Sequence, residues 1–240
     1  MGAQGSTGRV TVYHQTERPC FVRQLRQISK RFELVSVDSA LERLRGPSAE
    51  PRRRFGVITF DDGYRDFLEV MDDLHELGVP ACLYITKEWL GQPGYLRESE
   101  VRSVAEAFDI GSHTLSHPRL LQLDAHALRH ELEGSRHYLE DLIGKPVVHF
   151  APPYGGPSSF DRSTLRAAAE AGYASFRSTF RGWNKPRRGD HAGIRLLRAD
   201  IVHDWYPSWR LNLTLAGALD WRAARRLQHA IGTDRSVGCR

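Results

Sequence analysis

Short apolar runs that alternate between extended and helical spacing organise this chain. Residues 9–13 read as a strand ending at His14, and Phe21, Leu25 and Ile28 then recur at the spacing of a helical face. Residues 32–37 look extended, and Asp38 is the expected N-cap of a helix that runs to Leu44 and stops at Gly46-Pro47. A basic, proline-bounded linker (47–54) leads into an apolar strand, 55–60. Phe67, Val70, Leu74 and Leu77 form one helical face closed by Gly78, followed by a buried strand at 81–86 and a Gly- and Pro-rich loop at 91–94. The same alternation continues with a helix at 98–107, a strand at 108–110, a long helix at 126–143 ended by Gly144 and a strand at 147–150. A helix at 161–171, an extended stretch at 173–177, a last strand at 194–202 and a helix at 211–227 complete it.

Strands that alternate with helices predict an α/β fold: a mostly parallel sheet with helices outside it, open or closed into a barrel. No internal repeat or low-complexity tract interrupts the pattern, and one domain with a core of about 10–221 is expected. The polar clusters all follow strands, at the carboxyl edge where α/β folds bind ligands.

The densest of these clusters is Val57-Ile-Thr-Phe-Asp-Asp-Gly-Tyr64. Side chains alternate along a strand, so Asp61 and Asp62 can take different jobs in one site, and Gly63 lets the backbone turn sharply. Two adjacent carboxylates repel unless a cation lies between them or one keeps its proton. Partners for a cation exist in Gly111-Ser-His-Thr-Leu-Ser-His-Pro118, where His113 and His117 stand one helical turn apart. Asp62, His113 and His117 together make a two-histidine, one-carboxylate set for a divalent metal that leaves room for water and substrate. Zinc suits these ligands best, with cobalt, nickel, manganese or iron as alternatives. Asp61 is then free to take a proton from water. The plainer reading makes the aspartates a helix cap and the histidines surface residues beside a turn; finding both motifs on matching strand ends argues against it.

Thr59-Phe-Asp-Asp-Gly63 and His113-Thr-Leu-Ser-His-Pro118 resemble the first two signature motifs of the polysaccharide deacetylases, a carbohydrate-esterase family. The resemblance implies a distorted barrel of about seven βα units and metal-dependent removal of an acyl group, usually acetyl, from an N-acylated sugar. It implies Asp61 as general base, with Asp62, His113 and His117 as metal ligands. The third family motif, commonly Arg-Pro-Pro followed by Tyr or Phe, reads Ala151-Pro-Pro-Tyr154 here. The Tyr154 amide, the first free N–H after two prolines, remains available for an oxyanion. The missing arginine orients the base in the family; Arg198 on the last strand is the expected replacement. The Asp-x-x-Asp-Trp motif is not found, and Ile201-Val-His203 fits the last motif loosely, with His203 as general acid for the departing amine. His14 is expected to line the pocket, and Tyr64, Trp89, Trp183, Trp205 and Trp209 are candidates for stacking on a sugar ring.

Composition changes this picture little. At 240 residues, with a net charge of +5 and a pI near 9.3, the chain is an ordinary globular protein whose arginine runs carry no nucleic-acid motif. Three widely spaced cysteines, Cys20, Cys82 and Cys239, form neither a disulfide framework nor a zinc cluster. The first eight residues lack the apolar stretch of a signal peptide and no run is long enough to span a bilayer, so a cytoplasmic location and no integral membrane segment are expected. On that ground the expected substrate is a nucleotide-linked, lipid-linked or small soluble N-acylated amino sugar. The rivals are a deformylase or cyclic imide or amide hydrolase with the same base and ion, and a sugar-binding module with a degraded site.

Overall fold

The computed structural model describes residues 7–46, 53–186, 190–218, 220, 227 and 231. In chain order its elements are β1 (Gly8–Tyr13), α1 (Arg18–Arg31), β2 (Glu33–Leu34), α2 (Val37–Arg45), β3 (Phe55–Phe60), α3 (Phe67–Glu76), β4 (Ala81–Ile85) and α4 (Glu98–Ala107). They continue with β5 (Asp109–Ser112), α5 (Ala125–Ile143), β6 (His149–Phe150), α6 (Arg162–Glu170), β7 (Ser175–Ser178), β8 (Asp190–His191), β9 (Ile194–Ile201) and α7 (Ser208–Ala216).

Of the two architectures the alternation allows, the chain adopts the closed one. Seven parallel strands run β1-β3-β4-β5-β6-β7-β9, and β9 returns to β1 through Val10↔Ala199, Thr11↔Asp200 and Val12↔Ile201. The (β/α)7 barrel implied by the family resemblance is thus formed. The short β2 adds to β3 outside this ring, and β8 forms an antiparallel hairpin with β9 that the hydrophobic pattern does not announce.

Every residue of β1, β3 and β4 is buried, as parallel strands covered on both faces require. Their side chains alternate between two apolar clusters. Val10, Val12, Phe55, Val57, Cys82, Tyr84, Leu197 and Ala199 share one, while Ile58, Phe60, Leu83 and Ile85 join the other with apolar residues of the surrounding helices. Helix α2 belongs to the first cluster through Val37, Ala40, Leu41 and Leu44. Its Asp38 lies 3.4 Å from His149 at the start of β6, and its Leu44 carbonyl accepts from Arg195 near the start of β9. Helix α2 therefore lies across the end where the strands begin, leaving the opposite end for chemistry.

Several boundaries differ from expectation. Ser36, not Asp38, caps α2, its hydroxyl accepting from the Ser39 amide; Asp38 sits in the first turn, where a carboxylate favours the helix dipole. The extended stretch 32–37 contributes only β2 before α2 begins. The helix expected at 211–227 ends at Ala216, because Gly217 takes a left-handed conformation (φ 84°) and closes it. The stop lies inside the small-residue run Ala216-Gly-Ala218. Linker residues 47–52, Trp221 and Cys239 lie outside the described residues.

Candidate active site

The carboxyl ends of the strands bring the sequence motifs together. Asp61 follows β3, His113 follows β5, Ala151 follows β6, His14 follows β1, and His203 stands two residues past β9. Asp62, His113 and His117 each offer a ligand atom, all within 4.8 Å of one another. The Asp62 Oδ1 is 3.3 Å from His113 Nε2 and 3.6 Å from His117 Nε2.

The local geometry is not the one the spacing suggests. His113 and His117 are not on a helix; they belong to a loop in which Thr114 (φ 74°) and His117 (φ 59°) are left-handed. Asp62 is left-handed too (φ 72°), so a backbone turn, rather than strand alternation, sends the two aspartates to different places. With Tyr154 (φ 65°), site residues account for four of the five non-glycine positive-φ positions among the described residues. Such conformations cost of order 1–3 kcal/mol each and persist where the surroundings enforce them, commonly at functional sites. The enforcement is visible. Glu131 of α5 accepts from the Leu115 and Ser116 amides (2.9 and 3.1 Å) and from the Ser116 hydroxyl (2.6 Å), and Thr114 Oγ1 accepts from the His117 amide at 3.0 Å.

These residues fit a divalent ion. His113 Nδ1 is 2.7 Å from the Ala151 carbonyl, which can only accept, so the proton sits on Nδ1 and Nε2 keeps its lone pair. Burial and the neighbouring His113 push the His117 imidazole down to about 4, so it too is neutral and able to ligate at neutral pH. Burial works to raise the Asp62 carboxyl, but the neighbouring imidazoles, His113 first, outweigh it and hold it below the usual carboxylate range. Its Oδ1 is buried without a hydrogen-bond donor, a costly state for a carboxylate and one that a cation relieves.

Asp61 takes a separate position. It is 3% exposed, and its Oδ1 accepts from the guanidinium of Arg177, a fully buried residue of β7. The arginine bound to Asp61 is therefore Arg177, not Arg198. Arg198 donates to the Arg181 carbonyl and exchanges backbone hydrogen bonds with the Asn184 side chain. Arg177 also lies 4.9 Å from the centroid of the buried Tyr84 ring, which fixes its plane. Ala151, standing where the family has arginine, contributes only its carbonyl to the site. Sequence reasoning missed Arg177, although a cation within an apolar strand of a parallel sheet signals a carboxylate partner. It also missed Glu131, which nothing distinguishes from other helical glutamates.

One further imidazole borders Asp61, and another follows β9. His14 Nε2 is 3.9 Å from Asp61 Oδ2. His203 is exposed and stacks on Trp205, and burial, His14 and Arg210 lower its pKa. On the other side an aromatic wall runs from Tyr64 through Tyr95 and Trp89 to His117, with successive centroids 4.8, 5.1 and 4.5 Å apart. Trp183 is elsewhere, between Arg9 and Arg54, and Trp209 lies exposed on α7. The half-exposed Tyr154 ring packs edge-on against His117 at 4.9 Å. Gly155 (φ 60°) follows it, and a Cβ there would come within 2.7 Å of Thr179, so this turn requires glycine.

Comparison with known proteins agrees with this arrangement. The chain is 27% identical over 161 residues to a chitooligosaccharide deacetylase of Bradyrhizobium sp. (strain ANU 289), covering 62% of this chain and 70% of that one. It is 32% identical over 110 residues to a chitin deacetylase of Pestalotiopsis sp, covering 45% of this chain and 37% of the relative's length. In structure it superposes on a Streptococcus pyogenes deacetylase solved in complex with acetate, with a TM-score of 0.75 at 18% identity, over 88% of this chain and 99% of that one; this likeness concerns the fold. The sequence profile described as polysaccharide deacetylase matches residues 48–176, more than half of the 240, and the chain belongs to the polysaccharide deacetylase family.

Proposed function

We propose that this chain is a metal-dependent hydrolase that removes an N-acyl group, acetyl first among them, from an amino sugar. The observation that carries the reading is the convergence of Asp62, His113 and His117 at ligand distance beside a second carboxylate, Asp61, that is bound to a buried guanidinium. A divalent ion held by the three ligands, when bound, polarises a carbonyl and lowers the pKa of water. Asp61 accepts the proton of the attacking water, and Arg177, donating to its Oδ1, keeps it oriented for that task. The Tyr154 amide, fixed by its left-handed backbone, donates to the developing oxyanion. His203 passes a proton to the departing nitrogen, with His14 beside Asp61 ordering the substrate. Tyr64 and Trp89 offer apolar faces to a pyranose. Relatives named for chitin and chitooligosaccharides support an N-acetylated glucosamine unit as the acylated sugar.

The test is product release from a panel of N-acetyl, N-formyl and cyclic imide compounds, comparing the wild type with Asp61→Asn. Acetate released from an N-acetyl sugar by the wild type and reduced about 10²- to 10⁴-fold in the variant supports the reading. Release confined to formate or ring-opened imide, or a variant as active as the wild type, contradicts it.

A further inference from the structure

The loop that carries His117 also carries a cation stacked on an aromatic ring. Arg119 follows His117-Pro118 and is exposed. Its guanidinium carbon lies 4.6 Å from the centroid of the Tyr154 ring, and among the described residues no carboxylate lies within ion-pair distance of it. Two other exposed arginines do have such partners, Arg65 in Glu100 and Arg18 in Asp73. A guanidinium stacked on a ring keeps its N–H edge open, and that planar fork matches carboxylate or phosphate oxygens.

Both partners are held. Arg119 opens a 3₁₀ turn, its carbonyl accepting from the Gln122 amide at 2.9 Å. Tyr154 is fixed by its left-handed backbone, by Thr179 Oγ1 donating to its carbonyl at 3.3 Å and by its contact with His117. Two ring contacts, of 4.6 and 4.9 Å, thus link the open guanidinium to a ligand of the candidate metal centre, which puts it within reach of the sugar being deacylated. A fork already ordered in this way loses little entropy on binding.

We propose that Arg119, stacked on Tyr154, is an anion subsite. It binds a carboxylate or phosphate carried by the substrate beside the acylated nitrogen, so acidic N-acyl sugars are preferred to neutral ones. The proposal rests on the hydrolase reading above and names the substrate class within it. Tyr154 then serves twice, through its amide at the reacting carbonyl and through its ring beneath the guanidinium.

The test compares wild type, Arg119→Ala and Arg119→Lys on three compounds: a neutral N-acetylglucosamine oligomer, the same oligomer carrying a 3-O-carboxyethyl ether, and N-acetylglucosamine 1-phosphate. The wild type is expected to prefer an acidic compound. Arg119→Ala is expected to lower kcat/KM for it, relative to the neutral oligomer, by about ten- to a hundredfold and chiefly through KM. Lysine restores only part, lacking the fork. The acidic compound that responds tells a sugar carboxylate from a phosphate. An acidic-to-neutral ratio that is the same in wild type and Arg119→Ala for both acidic compounds overturns the subsite. Calorimetric titration of Asp61→Asn with each acidic compound, with and without Arg119→Ala, reads the subsite without turnover. Equal affinities overturn it, and a weakening of the same size supports it even if hydrolysis of every compound fails and the hydrolase reading falls.

Discussion

In the proposed reaction Arg177 is the residue that positions Asp61. The guanidinium hydrogen-bonded to its Oδ1 fixes the direction in which this carboxylate faces, so removing it lets the carboxylate turn away from the position the proposed reaction needs. Arg177→Met is therefore expected to lower acetate release about 10²-fold, while Arg198→Ala leaves it unchanged; a rate that falls with Arg198 and not with Arg177 contradicts the assignment. The same variant leaves Asp61, 3% exposed, without its buried partner. Breaking such a pair from one side costs about 3–5 kcal/mol, readable as a lower urea midpoint. This residue also marks how far a sequence can be read at this scale. The carboxylates and imidazoles were legible as one cluster because residues of these types suit a shared divalent ion. The cation was legible only as an absence at Ala151, because Arg177 on β7 meets Asp61 across the barrel and 116 residues away in the chain.

At the scale of elements, the loop 113–118 is held in its left-handed turns from outside, by one glutamate on α5. Glu131→Ala is expected to leave the barrel folded and to weaken metal binding about 10- to 100-fold, as loss of an orienting partner does. Competition with a metallochromic chelator reads that change, and an unaltered affinity contradicts it. The loop after β1 is held by two acids, with Asp66 accepting from the Thr16 amide at 2.7 Å and Asp204 from the Glu17 amide at 2.8 Å. Burial raises the Asp66 carboxyl to about 6; the Thr16 hydrogen bond opposes this and the charge of Asp204 adds to it. A group that holds its proton more tightly when folded stabilises the fold fully below its ordinary pKa of 3.8, and that contribution is lost as pH rises through about 6. Urea stability measured from pH 4 to pH 7 should contain this decline in the wild type and lack it in Asp66→Asn, which keeps an acceptor for the Thr16 amide. An equal decline in both proteins would show that the group titrates elsewhere.

The element pattern was largely readable in advance because parallel strands buried on both faces make continuous apolar runs, and β3 and β4 stand out for that reason. What failed were features decided by tertiary contact. The histidine spacing suited a helix, yet the Glu131 and Thr114 hydrogen bonds hold a turn. The last helix had its pattern cut short by a single left-handed glycine, Gly217.

For the whole molecule, closure of β9 onto β1 sets the ends of five strands around one centre. Helix α2 covers the opposite end, and no helix among the described residues is long and apolar enough to cross a membrane. An ion that binds the folded barrel and not the unfolded chain stabilises it by mass action, by about 2.7 kcal/mol at a hundredfold excess over Kd. Zinc should accordingly raise the Tm of the metal-free protein, and His117→Ala should abolish most of that rise. The most direct measurement of the central claim is metal content and acetate release determined together on wild type, Asp61→Asn and His113→Ala. The expected result is one equivalent of metal in wild type and Asp61→Asn, none retained by His113→Ala, and acetate release by the wild type alone. Full activity in His113→Ala without metal, or in Asp61→Asn with it, would contradict the account.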